Sequence, residues 1–191
     1  MPVAAVVLAA GSGSRFSGST HKLRAEVDGR PLICTAVDAA LESGIGPVIV
    51  VTGAEPLGDL LAPSVIEVHA GDWSAGQSHS LAAAVGAVEA TSVQAIVVGL
   101  GDMPGVTAEC WRAVAGSGAQ IGVATYGGHR RPPVRIAREL WPELPAAGDE
   151  GARALMRRRP DLVVEVPVDG DSRDVDTVDD LRSEAGPTGD Q

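Results

Sequence analysis

The chain has 191 residues, 45% of them hydrophobic, 21% charged and only 3% aromatic, which suits one globular domain with a core of Ala, Val, Leu and Ile. Fifteen Lys and Arg against 25 Asp and Glu give a formal charge of −10. This excludes broad attraction to nucleic acid or anionic membrane while leaving room for a small phosphorylated ligand held locally. The cysteines Cys34 and Cys110, far apart and in no C-x-x-C spacing, exclude a disulfide scaffold and a cysteine zinc site.

Val3 to Ala10 is a wholly apolar run closed by Gly11-Ser12-Gly13-Ser14, the pattern of a strand buried on both faces. After Pro31, the spacing of Leu32, Ile33, Ala36, Val37, Ala40 and Leu41 predicts a helix that stops at Gly44. Pro47–Thr52 reads as a second buried strand and Val65–His69 as a weaker one. Ser78–Ala90 is an Ala-rich helix, Gln94–Leu100 a third buried strand, and Thr107 caps a helix through Val114. Further strands are expected over Gln120–Thr125, Pro133–Ala137 and Leu162–Val168, with short helices over Gly151–Arg159 and Thr177–Arg182. Alternating strands and helices predict a single α/β domain over residues 1–183, with a mostly parallel, Rossmann-like sheet covered on both faces. A flexible tail is expected over 184–191. No apolar stretch approaches the roughly 20 residues of a membrane span. Met1-Pro2-Val3 carries no basic leader region, so a soluble cytoplasmic protein is expected.

In an open parallel sheet, ligands bind beyond the carboxyl ends of the strands, and three strands here end in unusual loops. The first is Leu8-Ala9-Ala10-Gly11-Ser12-Gly13-Ser14-Arg15-Phe16, followed by Lys22-Leu23. Small residues let the backbone approach a phosphate chain and cradle its oxygens with N–H groups, while Arg15 and Lys22 supply positive charge. A dinucleotide fingerprint would need glycine where Phe16 stands, and a P-loop counted from Gly13 to Gly18 would need lysine where Ser19-Thr20 follows. A plain Gly/Ser turn with both cations in solvent is the alternative at this point. The second loop is Gly101-Asp102-Met103-Pro104, where Asp102 is placed either to hold Mg²⁺ or to close an Asx turn. The third is Arg173-Asp174-Val175-Asp176-Thr177-Val178-Asp179-Asp180. In an extended stretch Asp174 and Asp176 point to one side and can reach one cation. Asp176 or Thr177 can also cap the next helix, with Asp179 and Asp180 complementing its dipole.

In this order, the glycine loop, Lys22-Leu23, Gly29-Arg30-Pro31-Leu32, Gly101-Asp102-Met103-Pro104 and Asp174-Val175-Asp176-Thr177 resemble the MobA-like nucleotidylyltransferases over Val3 to Arg182. Within that group the chain looks most like the molybdenum cofactor cytidylyltransferases. Leu8-Ala9-Ala10-Gly11, Trp73-Ser74-Ala75-Gly76-Gln77-Ser78 and Gly148-Asp149-Glu150-Gly151-Ala152-Arg153 carry that likeness. The pattern departs at Arg15-Phe16-Ser17-Gly18, and at Arg131-Pro132-Pro133-Val134, where the family has Gly-His-Pro-Val. Gln77 stands where methionine is common, and His79 interrupts the usual serine pair. The last three departures fall where the acceptor is expected.

The resemblance implies a nucleotide-diphospho-sugar transferase-like fold and transfer of a nucleotidyl group, CMP from CTP before GMP from GTP, to the phosphate of a pterin-type acceptor, with release of pyrophosphate. Arg15, Lys22 and Asp102 would be catalytic. Leu8, Ala9, Ala10, Gly11, Ser12, Gly13, Gly101 and Asp102 would bind the nucleotide with Arg15 and Lys22. Asp102, Asp174 and Asp176 would hold Mg²⁺, and Trp73, Gln77, Ser78, His79 and Arg153 would face the acceptor. A molybdenum enzyme would receive the product, and neither nucleic acid nor membrane is an expected partner. Taken on their own residues, Trp73 also reads as core filling, His79 and Ser78 as the start of a helix, and Arg153 as a partner for Asp149 or Glu150. Two further readings are transfer to another phosphorylated acceptor, a sugar 1-phosphate or isoprenoid precursor, and a non-catalytic nucleotide-binding accessory protein for a molybdenum enzyme.

Overall fold

The computed structural model describes residues 1–18 and 20–184. The chain begins with β1 (Val3–Ala9), buried along its whole length. A small antiparallel hairpin, β2 (Glu26–Val27) with β3 (Arg30–Pro31), then delivers the chain into α1 (Leu32–Ser43). Next come β4 (Val48–Thr52), β5 (Ile66–His69), α2 (Gln77–Val88), β6 (Ala95–Leu100) and α3 (Ala108–Gly116). The C-terminal part supplies β7 (Ile121–Tyr126), β8 (His129–Ala137), α4 (Ala152–Arg158), β9 (Val163–Pro167) and α5 (Val178–Glu184).

Seven strands form one sheet in the order β5-β4-β1-β6-β8-β7-β9. All neighbours are parallel except those of β8, which runs antiparallel to β6 and β7. Period-two alternation along β1 divides the core. Val3, Ala5, Val7 and Ala9 pack with α1 and α3 on one face, and Ala4, Val6 and Leu8 pack with Leu81 and Ala84 of α2 and Leu155 of α4 on the other. Burial of each large aliphatic side chain contributes about 1.5–3 kcal/mol, so the sheet is held from both sides. Among the described residues, no helix is long and apolar enough to cross a membrane.

The expected strands and helices are present with ends shifted by a residue or two, apart from β8, which begins four residues before the predicted Pro133. Gly127 and Gly128, both at positive φ (56° and 86°), close a two-residue hairpin between Tyr126 and His129, as tight hairpins require. The register jumps between Val123 paired to Val134 and Ala124 paired to Arg131. Pro132 and Pro133 therefore sit in a bulge, where a missing N–H costs no ladder bond. Glu184, the first residue of the expected tail, ends α5, and 185–191 lie outside the described residues.

From β1 the chain moves outward to β4 and β5, then crosses back to β6 on the other side of β1. The strands that follow β1 and β6 thus lie on opposite sides of this central pair, the place in such a sheet where ligands bind. Gly101 N–H donates to Leu8 O at 2.9 Å and fixes the two loops side by side.

Candidate active site

A cleft of about 560 Å³ lies over the carboxyl ends of β1 and β6. Its wall includes Leu8, the Ala10–Arg15 loop, Lys22, Trp73, Gln77, Asp102, Asp174 and Asp176, so residues from four distant stretches of chain meet in one place. Gly13 takes φ +61°, a left-handed conformation suited to glycine, and turns the loop so that Phe16 N–H reaches Gly13 O at 2.8 Å. The N–H groups of Gly11, Ser12 and Gly13 donate to no other described residue. They form a short run of free donors along the wall.

Lys22 is placed by its neighbours. Leu23 is buried in the core. Arg24 is clamped by Glu55 at 2.6 Å, by Asp59 at 2.7 and 2.9 Å, and by Pro56 O, and the carboxylates of Asp59 and Glu55 raise its pKa further. The His21 ring accepts from Leu23 N–H through Nδ1 at 3.3 Å, which leaves Nε2 to donate to Gly11 O at 3.1 Å. His21 thereby ties the lysine segment to the glycine loop.

The Lys22 ammonium bridges two carboxylates, Asp102 Oδ2 at 2.7 Å and Asp176 Oδ1 at 3.1 Å. Arg15 reaches Asp176 Oδ2 at 3.0 Å from a side chain that is 78% exposed. Burial alone would lower the Lys22 pKa, but Asp102 and Asp176 outweigh it and hold the ammonium above its ordinary value. Its stabilising charge is therefore fully present below the unfolded-chain value and is lost only in strongly alkaline solution.

Asp174 and Asp176 flank Val175, which is fully buried and donates its N–H to Asp102 O at 2.9 Å. Extended alternation then turns both acids into the cleft. Asp180 Oδ2 accepts from the N–H of Asp176 (3.1 Å), the N–H of Thr177 (2.8 Å) and Thr177 Oγ1 (2.8 Å), and Thr177 Oγ1 accepts in turn from Asp180 N–H. This reciprocal capping box starts α5 and locks Asp176. The hydroxyl and N–H of Thr177 hold the Asp180 carboxyl below its ordinary range.

The oxygen donors suit a hard divalent cation, which needs only one or two carboxylates when it keeps waters and phosphate oxygens. Asp102 Oδ1 is buried and has no hydrogen-bond partner, leaving a lone pair free for such an ion. Among the described residues, no three His, Cys, Asp or Glu side chains are gathered as a ready-made cage. Asp102 and Asp176 share Lys22, whereas Asp174 lines the same cleft without joining them.

Several of the expected site residues do not line this cleft. Ala9 is buried in the core, and Gly101 is spent on its bond to Leu8. Ser78 is buried, with its N–H donating to Gly148 O and its Oγ unpartnered. His79 does not line the cleft. Arg153 lines a neighbouring cavity, and Glu150 hydrogen-bonds Arg157 in its place. Asp149 and Ser80 line the cleft without having been assigned a role. Asp149 lies within the Gly148–Arg153 motif, which was the available signal.

The MobA-like NTP transferase domain family matches residues 5–163. A bifunctional GlmU protein from Anaeromyxobacter dehalogenans is 33% identical over 129 residues, covering 64% of this chain and 26% of that protein. The chain thus spans about a quarter of that relative. Rv0371c from Mycobacterium tuberculosis superposes with a TM-score of 0.80 at 29% identity, covering 95% of this chain and 96% of that one. Its complex with manganese gives 0.80 at 28% identity over 97% and 98%. With the match running through the glycine loop and the Asp102 turn, the chain belongs to the MobA-like NTP transferase domain family.

Proposed function

We propose that the protein transfers a nucleotidyl group from a nucleoside triphosphate to the phosphate of an acceptor. An acceptor phosphate oxygen attacks the α-phosphorus, the bond from that phosphorus to the β-phosphate bridging oxygen breaks, and pyrophosphate leaves with the bond pair. The observation that carries this reading is the juxtaposition of Lys22, Asp102 and Asp176 beside a glycine loop with free N–H groups. The acceptor phosphate is already anionic at neutral pH, so the protein has chiefly to align two anions and offset their repulsion. Arg15 and Lys22 hold the β- and γ-phosphates and the departing pyrophosphate. The loop from Leu8 to Gly13 borders the base and phosphates, with the Gly101–Asp102 turn beside the ribose. Asp102 and Asp176, with Asp174 at the edge, would hold a magnesium ion, which supplies charge neutralisation at the α-phosphate. The manganese complex of Rv0371c supports a divalent cation in a related fold.

The finer reading is CMP transfer from CTP to a molybdopterin-type cofactor in the cytoplasm, with the product passed to a molybdenum enzyme. It rests on the likeness of Leu8–Gly11, Trp73–Ser78 and Gly148–Arg153 to the cytidylyl group. Trp73 and Gln77 line the cleft beside the glycine loop, as that reading needs. A second reading, transfer to a different phosphorylated acceptor, is favoured by the 33% identity to GlmU. The test incubates the protein and Mg²⁺ with labelled CTP or GTP and a panel of phosphorylated pterin, sugar and isoprenoid acceptors, following pyrophosphate and the labelled product. Product from CTP and the pterin alone supports the finer reading. Product from another acceptor moves the assignment there, and no pyrophosphate with any pair removes transferase activity.

A further inference from the structure

A second cavity of about 200 Å³ adjoins the first, and Leu8, Gln77 and Leu100 line both. Its lining is largely aliphatic, with Leu81, Val98, Val123, Val134 and Met156. Three arginines, Arg130, Arg131 and Arg153, complete it, and they differ in their partners. Arg130 Nε is paired to Glu165 at 2.8 Å. Arg153 lies close enough to Glu150 to act on its charge. The Arg131 guanidinium makes no hydrogen bond or ion pair with any described residue, although its backbone pairs with Ala124 in the sheet.

In a chain with ten more acids than bases, partners for a surface arginine are plentiful. Even the buried Arg135 finds a carbonyl, Ala119 O. Arg131 also borders a crevice that holds Asp174 and Asp180, yet pairs with neither. A planar fork left open beside an apolar chamber matches an anionic oxygen of a ligand. The chamber also disfavours a polyhydroxylated body. Hydroxyls facing its aliphatic wall would find no partner there, and each one left unpaired would be penalised.

We infer that the second cavity seats a flat ring of the acceptor and that Arg131 selects acceptors carrying on that ring a negative group other than the phosphate that reacts. This rests on the proposed transfer reaction, which alone defines an acceptor, and it assigns specificity to a residue at which the chain departs from the family pattern.

The test titrates the full chain with three probes by calorimetry: 4-carboxyphenyl phosphate, phenyl phosphate and glucose 1-phosphate. The wild type is expected to bind 4-carboxyphenyl phosphate about tenfold more tightly than either other probe. Arg131→Ala should weaken that binding about tenfold, the loss of one charge-assisted contact, and Arg131→Lys should restore part of it. Ala152→Leu, which fills the chamber, should weaken it as well. Absence of 4-carboxyphenyl phosphate binding, equal binding of either other probe, or an unchanged affinity in either Arg131→Ala or Ala152→Leu overturns the inference. Thermal stabilisation by CTP with Mg²⁺, measured on the same proteins, reports folding and tests the parent reading separately. If the nucleotide shift persists while the aryl phosphate fails, this inference alone falls. A wild type that responds to no nucleotide removes the transfer reaction itself.

Discussion

Lys22 is the lone lysine of the chain, and it spends its charge on the two carboxylates proposed to hold a cation. Two acids sharing one ammonium need positive charge beside them, and Lys22, with Arg15 on Asp176, supplies it. Asp102→Ala tests the proposed role of that carboxylate. Asp176 keeps both Lys22 and Arg15 as partners, so the substitution should cost no more than about 1–2 kcal/mol of stability. It should still nearly abolish pyrophosphate release, because the unpartnered Oδ1 goes with it. Unchanged release in a folded variant would take the metal role from Asp102. The residues that meet here were named from the sequence through the order of the motifs that carry them, since each loop by itself also reads as a plain turn or a helix cap. His21, Arg24 and Asp149 were not, since their roles depend on a carbonyl at Gly11, on carboxylates at Glu55 and Asp59, and on a cleft wall. Each of those neighbours is distant in sequence.

At the scale of elements, β1, β4 and β6 were legible because strands buried on both faces must be continuously apolar. β8 was partly hidden by Pro132 and Pro133, which fall in a bulge that only pairing with β7 reveals. α5 shows how a short element acts at a distance from its own sequence. Asp180, readable as a charge complementing a helix dipole, instead grips the backbone of Asp176 and Thr177. Asp180→Ala should therefore loosen Asp176 without removing it. The expected result is about a tenfold rise in the magnesium concentration needed for half-maximal activity, the usual scale for a residue that orients a ligand. Stability should fall only slightly for the lost cap. An unchanged magnesium requirement would show that Asp176 is held well enough by Val175 and Lys22 alone.

The molecule as a whole carries an excess of acid, and the cleft sets Asp102, Asp149, Asp174 and Asp176 beside Arg15 and Lys22, so a polyanion there needs the proposed cation as well as the local donors. Surface acids act weakly beyond about 8 Å in physiological salt, so local donors decide what binds. The strand order that builds this cleft was not legible, because local pattern says which segments are strands but not that the chain crosses back over β1 to place β6 beside it. Selectivity for the base is also a property of the assembled crevice, and a stability measurement reads it without knowledge of the acceptor. Under the cytidylyl reading, CTP with Mg²⁺ should raise the melting temperature more than GTP or ATP at equal concentration. A ligand at a hundred times its Kd stabilises the native state by about 2.7 kcal/mol, about 5–10 °C for a domain of this size. A tenfold weaker nucleotide would give about 1.4 kcal/mol, roughly half that shift. Equal shifts for all three would leave a triphosphate site that does not read the base, and the preference for CTP would be withdrawn. A larger shift with GTP would reverse the assignment.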